Sequence, residues 1–304
     1  MNAYRMIVDL GGTTVRLALA ASDGSLSALE RHASPRQDLL PLLRSYRERQ
    51  GETLSGLTIG AAGRIRRLPG RASVTLTNLA LTLSREELSA ALGLPVLLLN
   101  DLAAVAAALP LLPSSDLEAF GPDRQPGQGT RVVVGLGTGF GVAVLTADGA
   151  ILETEAGHAD LPAATVEERA CLTRLSPLKA VSIETLFSGP GLLRHHALHT
   201  GEHLDDPGLL HERVRSDPRS AKAMRQYSRW LGRVCGNLVL SFGAWGGLYL
   251  AGGVSRRLGP LLDGNCFREG FEDKPHFGPE LAAVPVWRIR AEEPALLGLA
   301  RLAA

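Results

Sequence analysis

Short apolar segments that end at glycine or polar residues recur throughout this chain of 304 residues. Residues 6–20 read as two apolar strands joined by a tight bend, residues 37–50 have the mixed pattern of an amphipathic helix, and residues 57–61 read as another strand. Farther along, residues 221–242 place apolar side chains at a helical period, which predicts one buried stripe that includes Cys235. Strands and helices mixed in this way predict an α/β protein.

One apolar run, Leu94–Leu99, stops at the polar pair Asn100 and Asp101, and an apolar helix-like stretch, Leu102–Leu109, begins at once. A run of this length reads as a buried strand, and ligands bind beyond the carboxyl ends of strands in open sheets. Asp101 is therefore a candidate reactive carboxylate. The alternative is that Asn100 or Asp101 only caps the helix, and the junction taken alone favours capping.

The first bend also has the composition of a phosphate site. Asp9 ends the first strand, and the bend that follows consists of Gly11, Gly12, Thr13 and Thr14. Glycines let the backbone come close to a ligand, so successive N–H groups and two hydroxyls can surround phosphate oxygens while Asp9 faces a hydrated Mg²⁺. The alternative is a plain hairpin turn, since glycines between strands are common.

A second hairpin of the same kind spans residues 132–145, with Gly137, Thr138 and Gly139 in its bend. It is not the dinucleotide fingerprint, because that motif must open a helix and this segment continues as a strand. It also lacks the Gly-Lys-Ser/Thr of a P-loop. Two such hairpins imply two related halves that face one cleft.

Three further places offer candidate ligand contacts. Glu155 and His158 can accept from and donate to sugar hydroxyls, and Glu184 supplies another carboxylate ahead of a Gly-Pro-Gly turn. The turn at Gly252 and Gly253 lets an adenine or ribose approach the backbone. The alternatives are a polar loop for Glu155 and His158, a helix-start residue for Glu184, and an ordinary strand-to-helix turn for Gly252 and Gly253.

Two polar tracts are less informative. His195, His199 and His203 repeat every four residues, but Gly201 interrupts the helix and no acidic or cysteine partner stands at ligand spacing. This pattern predicts a solvent-facing helix end rather than a metal site. Gly63–Arg71 contains four arginines and predicts a solvated loop, with phosphate contact as the alternative.

The composition narrows the class of chemistry. The chain is 45% hydrophobic and 21% charged, as in ordinary globular proteins, and its net charge of +1 gives no argument for nucleic acid or an acidic membrane surface. Its most apolar window, residues 94–113, is interrupted by polar residues and proline, so we expect no membrane-spanning helix. The three widely separated cysteines fit a reducing cytoplasm. Small-molecule chemistry is the expectation that remains.

Taken together and in this order, the motifs make the chain similar to the bacterial glucokinase family, within the actin, sugar-kinase and Hsp70-like ATPases. Residues 9–16 resemble the family's first phosphate motif, residues 135–141 the second, and residues 251–254 the adenosine motif. The likeness covers nearly the whole chain. It implies phosphorylation of glucose at its 6-hydroxyl, with glucose and ATP as partners, Mg²⁺ as a cofactor and no membrane or nucleic acid involved.

The resemblance also implies a two-domain α/β fold of the actin-like ATPase type, related to ribonuclease H, with an interdomain cleft. A small α/β domain is expected at residues 1–103, completed by a C-terminal helix from about residue 293 to residue 304. A large α/β domain is expected at residues 104–292. The sequence does not fix the oligomeric state, and a homodimer stays open.

The resemblance assigns roles residue by residue. Asp101 matches the catalytic carboxylate, and Asp9 would orient Mg²⁺ through water. The residues expected to hold the sugar are Thr77, Asn78, Asn100, Glu155, His158 and Glu184. The residues expected to bind ATP are Asp9, Gly11, Gly12, Thr13, Thr14, Arg16, Gly137, Thr138, Gly139, Gly252 and Gly253.

The sequence departs from the family pattern at two places. Gly63-Arg64 stands where the family usually has a proline, and Leu81 stands where an aromatic residue usually follows Thr-Asn. These two departures bear on which sugar the protein prefers. The competing hypotheses are a kinase of another hexose or amino sugar, such as mannose or N-acetylglucosamine, and a non-catalytic sugar-sensing protein. The intact Asp101 and both phosphate-type bends favour an enzyme.

Overall fold

The structure of the chain, a computed structural model, describes residues 4–51, 53–76, 79–125, 127–176 and 179–303. Thr77 and Asn78, two of the predicted sugar-binding residues, lie outside the described residues. The chain divides into two compact units, the first formed by residues 1–112 and 291–304 and the second by residues 113–290.

Both units contain strands and helices. The strands are β1 (Tyr4–Leu10), β2 (Thr14–Ala20), β3 (Leu26–Ala33), β4 (Leu54–Ala61), β5 (Ile65–Leu68), β6 (Arg71–Leu76), β7 (Leu81–Ser84), β8 (Val96–Asn100), β9 (Leu117–Ala119), β10 (Arg131–Leu136), β11 (Phe140–Leu145), β12 (Ile151–Thr154), β13 (Gly247–Ala251) and β14 (Val286–Ile289). The helices are α1 (Leu40–Gln50), α2 (Arg85–Leu92), α3 (Asp101–Ala108), α4 (Val166–Leu175), α5 (Ile183–Leu186), α6 (Gly189–Thr200), α7 (Leu210–Ser216), α8 (Pro218–Phe242), α9 (Gly252–Leu258), α10 (Gly264–Glu272), α11 (Gly278–Ala283) and α12 (Pro294–Ala303).

The first unit is built on a five-stranded sheet in the order β3-β2-β1-β4-β8. Strands β1, β4 and β8 are parallel, so their carboxyl ends lie at one edge, where Leu10 pairs with Ala61 and Ala61 pairs with Asn100. β1 and β4 are apolar along most of their length because both are central in the sheet. A smaller antiparallel sheet, β5-β6-β7, belongs to the same unit.

Helix α12 returns to the first unit and packs on α3. The two backbones approach so closely that a Cβ atom at Gly298 would overlap the carbonyl oxygen of Ala104. The predicted domain boundary between residues 103 and 104 falls inside α3, which is one continuous helix, and the compact units divide after Leu112. Buried alanines along α3, together with Leu102 and Val105, explain why this helix stays with the first unit.

The second unit is built on a six-stranded sheet in the order β12-β11-β10-β13-β14-β9, in which β10, β13 and β14 are parallel. The long helix α8 has the predicted buried stripe, and Cys235 is fully buried in it. α10 packs on α8 with glycines at the contact: a Cβ atom at Gly232 would overlap the Phe267 carbonyl oxygen. No helix in the described part of either unit combines the length and the apolar surface needed to cross a bilayer.

Both predicted hairpins are confirmed. β1 pairs with β2 in antiparallel register, and so does β10 with β11. The predicted loop at Gly63–Arg71 is wrong, because residues 65–68 and 71–76 form the β5–β6 hairpin. Its arginines, Arg66, Arg67 and Arg71, stay exposed, and Gly70, with a φ of 74°, supplies the tight turn that connects the two strands.

The prediction of a solvent-facing histidine tract is wrong at its first residue, whereas His203, at its end, is exposed. His195 and His196 are buried, because α6 packs against the first turns of α8. The His195 Nε2 atom is 3.0 Å from the Ala223 carbonyl oxygen, and the His196 Nε2 atom is 2.8 Å from the Ser220 hydroxyl. Throughout the described ranges, no group of three or more histidine, cysteine or acidic side chains is arranged to hold a metal ion.

Candidate functional site

The first phosphate-type bend is a tight hairpin turn with Gly12 and Thr13 at its tip. The Gly11 N–H donates to the Thr14 carbonyl at 3.0 Å and closes the turn. Ser34, just beyond the end of β3, supports it from outside: its N–H donates to the Thr13 carbonyl at 3.0 Å and its hydroxyl donates to the Gly11 carbonyl at 2.6 Å. The turn is thus held by its own backbone, and the Thr13 side chain remains exposed at the tip.

Asp9 and Arg16 form an ion pair across this hairpin. They are partners in the β1–β2 register, and Arg16 Nη1 lies 3.0 Å from Asp9 Oδ2. The Arg16 Nε also donates to Glu293 Oε1 at 2.8 Å, and Arg31 donates to the same oxygen at 2.9 Å. Burial raises the pKa of the Asp9 carboxyl above its ordinary value, and the Arg16 guanidinium opposes that shift. Two carboxylates of the first unit therefore hold Arg16.

The predicted catalytic pair lies at the junction of β8 and α3. Asn100 is the N-cap of α3: its Oδ1 accepts from the Leu102 N–H at 2.9 Å, and its Nδ2 donates to the Gly63 carbonyl at 3.1 Å. Asp101 is the first residue of the helix, and its Oδ1 also accepts from the Leu102 N–H, at 2.8 Å. The N-terminal end of a helix stabilises a carboxylate. Capping is thus supplied by Asn100, and Asp101 adds a negative charge at the same helix start.

In the second unit, the second phosphate-type bend is a three-residue turn, Gly137 to Gly139, between β10 and β11. The Gly189 N–H, at the start of α6, donates to the Gly137 carbonyl at 2.8 Å. Glu184 accepts from the Phe140 N–H through Oε2 at 2.9 Å. A Cβ atom at Gly139 would overlap this Oε2. Only glycine at position 139 therefore lets the Glu184 carboxylate reach the end of the turn. The Thr138 side chain stays exposed at the tip, as Thr13 does in the first unit.

Glu155 precedes a short 3₁₀ helix, Ala156–His158, that ends at His158 and packs against the same turn. A Cβ atom at Gly157 would overlap the Phe140 carbonyl oxygen, so the two backbones touch there. The side chains of Glu155 and His158 are about half exposed, at 49% and 61%, and the His158 Nε2 is 3.8 Å from Glu155 Oε2. The Phe140 N–H therefore donates to Glu184, and the Phe140 carbonyl contacts the segment that carries Glu155 and His158.

The predicted adenosine turn lies beside this group. β13 runs parallel to β10, and Gly135 pairs with Ala251, the residue before Gly252. Gly252 has a φ of 93°, and a Cβ atom on it would overlap the Leu136 carbonyl oxygen. Position 252 therefore requires glycine on two independent grounds. Gly253 follows it in the first turn of α9.

The structure brings the predicted residues together in two groups. Those of the first unit lie at or beside the carboxyl ends of β1 and β8, and those of the second unit surround the ends of β10 and β13. The sequence missed Glu293, Arg31 and Ser34. The acidic pair before Pro294 is the only hint of Glu293, and its contact with Arg16 spans 277 positions of the chain.

The two departures from the family pattern differ in their surroundings. Leu81 is buried at the start of β7. The Gly63 carbonyl oxygen accepts a hydrogen bond from Asn100 Nδ2, and a Cβ atom at position 63 would lie 2.8 Å from the Thr75 carbonyl oxygen. The Gly63 departure therefore touches Asn100 directly, whereas Leu81 contributes to the core of the first unit.

Comparisons with known proteins agree along the whole chain. A family model described as Glucokinase matches residues 6–304. The chain is 37% identical over 320 residues to the glucokinase of Nitrobacter hamburgensis, with 99% of this chain and 98% of that protein covered. It is 34% identical over 310 residues to the glucokinase of Tolumonas auensis, covering 96% and 94% of the two. The crystal structure of glucokinase from an Antarctic psychrotroph superposes with a TM-score of 0.83 at 28% identity, covering 100% of this chain and 99% of that chain.

Proposed function

The chain belongs to the glucokinase family, and we propose that it catalyses the ATP-dependent phosphorylation of D-glucose to glucose 6-phosphate. Its fold is the two-domain actin-like ATPase fold. Phosphoryl transfer through a loose transition state depends on positioning and charge stabilisation more than on covalent catalysis. The side chains therefore need to hold two substrates, orient them and accept one proton.

Asp101 is the proposed general base, and its position is the observation that supports this function most strongly. It follows strand β8 at the edge of the sheet where Asp9 and the first phosphate-type turn also lie. Asn100 already caps α3, so the carboxylate of Asp101 is not needed for that purpose. It would accept the proton of the glucose 6-hydroxyl as the oxygen attacks the γ-phosphate.

The proposed sugar ligands that the structure describes are Asn100, Glu155, His158 and Glu184. Asn100 is fixed by its bonds to Leu102 and Gly63, and a fixed amide can orient a hydroxyl without losing further rotamer freedom. Glu155 and His158 are exposed enough to accept from and donate to hydroxyl groups. Glu184 is oriented by the Phe140 N–H. Thr77 and Asn78 keep their sequence-based assignment to the sugar.

The two phosphate-type turns and the Gly252–Gly253 turn would hold ATP, with the exposed Thr13 and Thr138 at the two tips. We propose Asp9 as the residue that faces hydrated Mg²⁺. The donor set fits, because Mg²⁺ is commonly bound through one or two carboxylates, waters and substrate phosphates. Arg16 engages Oδ2 of Asp9, so Oδ1 is the oxygen assigned to the water shell. The cation would neutralise charge on the phosphates.

A coupled ADP-release assay across glucose, mannose and N-acetylglucosamine tests this function. We expect the highest specificity constant for glucose, because the carboxylates suit closely held hydroxyls. A specificity constant for N-acetylglucosamine equal to that for glucose would make the substrate assignment wrong. If no sugar stimulates ADP release while glucose still binds, the chain is a sugar-sensing protein instead. All three cysteines are free thiols, in keeping with the proposed cytoplasmic location.

A further inference from the structure

The first phosphate-type turn is held from outside by a single residue, Ser34. The Ser34 hydroxyl donates to the Gly11 carbonyl at 2.6 Å, and the Ser34 N–H donates to the Thr13 carbonyl at 3.0 Å. Pro35 follows in the chain and disfavours a helical backbone at Ser34. Two carbonyl groups of the turn, one on each side of Gly12, are therefore turned toward Ser34.

The bond to the Gly11 carbonyl also sets the direction of the next N–H group. The peptide between Gly11 and Gly12 is trans, like every peptide in the ranges that the structure describes. In a trans peptide the C=O of one residue and the N–H of the next lie in one plane and point in opposite directions. Because Ser34 holds the Gly11 carbonyl, the Gly12 N–H points away from Ser34.

The N–H groups at the tip of the turn are available to a ligand. Among the residues that the structure describes, no acceptor takes the N–H of Gly12 or of Thr13. Gly12 is partly exposed and Thr13 is exposed, so a ligand can approach both from solvent. Successive backbone N–H groups presented in this way bind phosphate oxygens.

The second phosphate-type turn has the same arrangement with a backbone donor. The Gly189 N–H donates to the Gly137 carbonyl at 2.8 Å, so the Thr138 N–H, next along the chain, points away from Gly189. Each turn therefore has a carbonyl held on one side and an N–H presented on the other. In the first turn the group that holds the carbonyl is a side chain, so a substitution can remove it.

Given the function proposed above, on which this step rests because it assigns ATP to the turn, we propose that Ser34 is a positioning residue for the nucleotide. By holding the Gly11 carbonyl, the Ser34 hydroxyl aims the Gly12 N–H at a phosphate oxygen of ATP. Ser34 acts through the turn and not by donating to ATP itself, because its hydroxyl and its N–H both donate within the turn.

Isothermal titration calorimetry with MgADP tests this role, since it measures nucleotide binding without turnover. Ser34→Ala removes the hydroxyl and leaves the backbone donor. Its Kd for MgADP should rise about three- to tenfold, the effect of one net hydrogen bond, and its KM for ATP should rise similarly. The KM for glucose should stay within about twofold of wild type. Ser34→Thr keeps the hydroxyl and should restore the affinity for MgADP.

Ser55→Ala is the matched control. The Ser55 hydroxyl donates to the Tyr4 carbonyl at 3.2 Å, at the end of β1 away from the turn, so this variant also removes a serine hydroxyl that holds a backbone carbonyl. Its Kd for MgADP should stay within about twofold of wild type. Thermal denaturation checks that the variants are folded, and if Ser34→Ala does not fold, Ser34→Cys, whose thiol donates only weakly, replaces it with the same expected rise.

Three results would overturn the role of Ser34 alone while wild type binds MgADP. These are an unchanged Kd in Ser34→Ala, an equal rise in Ser34→Thr, and a parallel rise in the KM for glucose, which would mean that the hydroxyl supports the fold as a whole. A wild-type protein that does not bind MgADP would overturn the proposed function and the role of Ser34 together.

Discussion

Gly139 offers the sharpest test of how the second unit orients Glu184, its proposed sugar ligand. A Cβ atom at this position would overlap Glu184 Oε2 and lie 3.1 Å from its Cδ. In Gly139→Ala the carboxylate must therefore move by about 1 Å to restore ordinary van der Waals contact. The 2.9 Å hydrogen bond from the Phe140 N–H is lost or distorted as it moves. Because the displaced atoms are the end of a flexible side chain, we expect the fold to survive.

The size of the effect follows from that hydrogen bond. A bond to a charged acceptor contributes about 1.5–3 kcal/mol net, which corresponds to roughly tenfold to a hundredfold in binding. A misplacement of about 1 Å at a reacting centre has a similar effect on rate. If Glu184 holds the sugar, Gly139→Ala should raise the KM for glucose by roughly ten to a hundred times.

Gly137→Ala is the matched control in the same turn. A Cβ atom at Gly137 would meet nothing within 4 Å, and both variants add one methyl group to the backbone. Coupled ADP-release kinetics at saturating ATP should give a KM for glucose within about twofold of wild type in Gly137→Ala, whatever happens to its KM for ATP. Thermal denaturation of both variants checks that they are folded.

Equal glucose KM values in Gly139→Ala, Gly137→Ala and wild type would refute the reasoning. Such a result would mean that the Glu184 carboxylate, although displaced, has no part in holding the sugar. A large loss of thermal stability in Gly139→Ala would instead contradict the view that only a flexible side chain has to move.

Two further predictions concern the ion-paired group around Arg16. Burial raises the pKa of Asp9 above its ordinary value of 3.8, so the ionised carboxylate lowers the stability of the fold at neutral pH. Asp9→Asn should therefore raise the melting temperature at pH 7 and lose most activity. The gain in melting temperature should disappear below about pH 3.8, where Asp9 is protonated in both the folded and the unfolded state. A lower melting temperature of Asp9→Asn at pH 7 would contradict this. Glu293→Ala removes the acceptor of Arg16 Nε and should raise the KM for ATP about tenfold with little change for glucose, whereas Glu293→Gln, which keeps an oxygen acceptor, should recover most of the loss. Equal ATP KM values in these two variants would show that Glu293 does not act through Arg16.

Local patterns account for the parts of the fold that could be predicted from the sequence. Each phosphate-type hairpin has two apolar runs around a bend of glycine and threonine, and both pair as expected. The Asn100–Asp101 junction was equally visible, because five strand residues and a helix start follow one another directly. Strand register then fixes Asp9 opposite Arg16 without any long-range information.

Contacts between distant segments could not be predicted in the same way. The Arg16–Glu293 bond depends on α12 packing against α3, and no local pattern encodes that arrangement. The histidine tract looked solvent-facing because histidine is polar, yet hydrogen bonds to Ala223 and Ser220 let the rings of His195 and His196 become buried. The arginine-rich β5–β6 hairpin was hidden by its composition, since β5 is exposed along most of its length and only β6 has several buried positions.

The turnover number of Asp101→Asn tests the central claim most directly. Asn keeps an oxygen that can accept from the Leu102 N–H, and Asn100 remains the N-cap of α3, so the variant should fold with a melting temperature close to that of wild type and still bind glucose. Asn cannot take a proton at neutral pH, and we predict a kcat roughly 10²–10⁴ times lower, the usual contribution of a positioned general base. A folded Asp101→Asn that retains more than about a tenth of the wild-type kcat would contradict the assignment of Asp101 as the base.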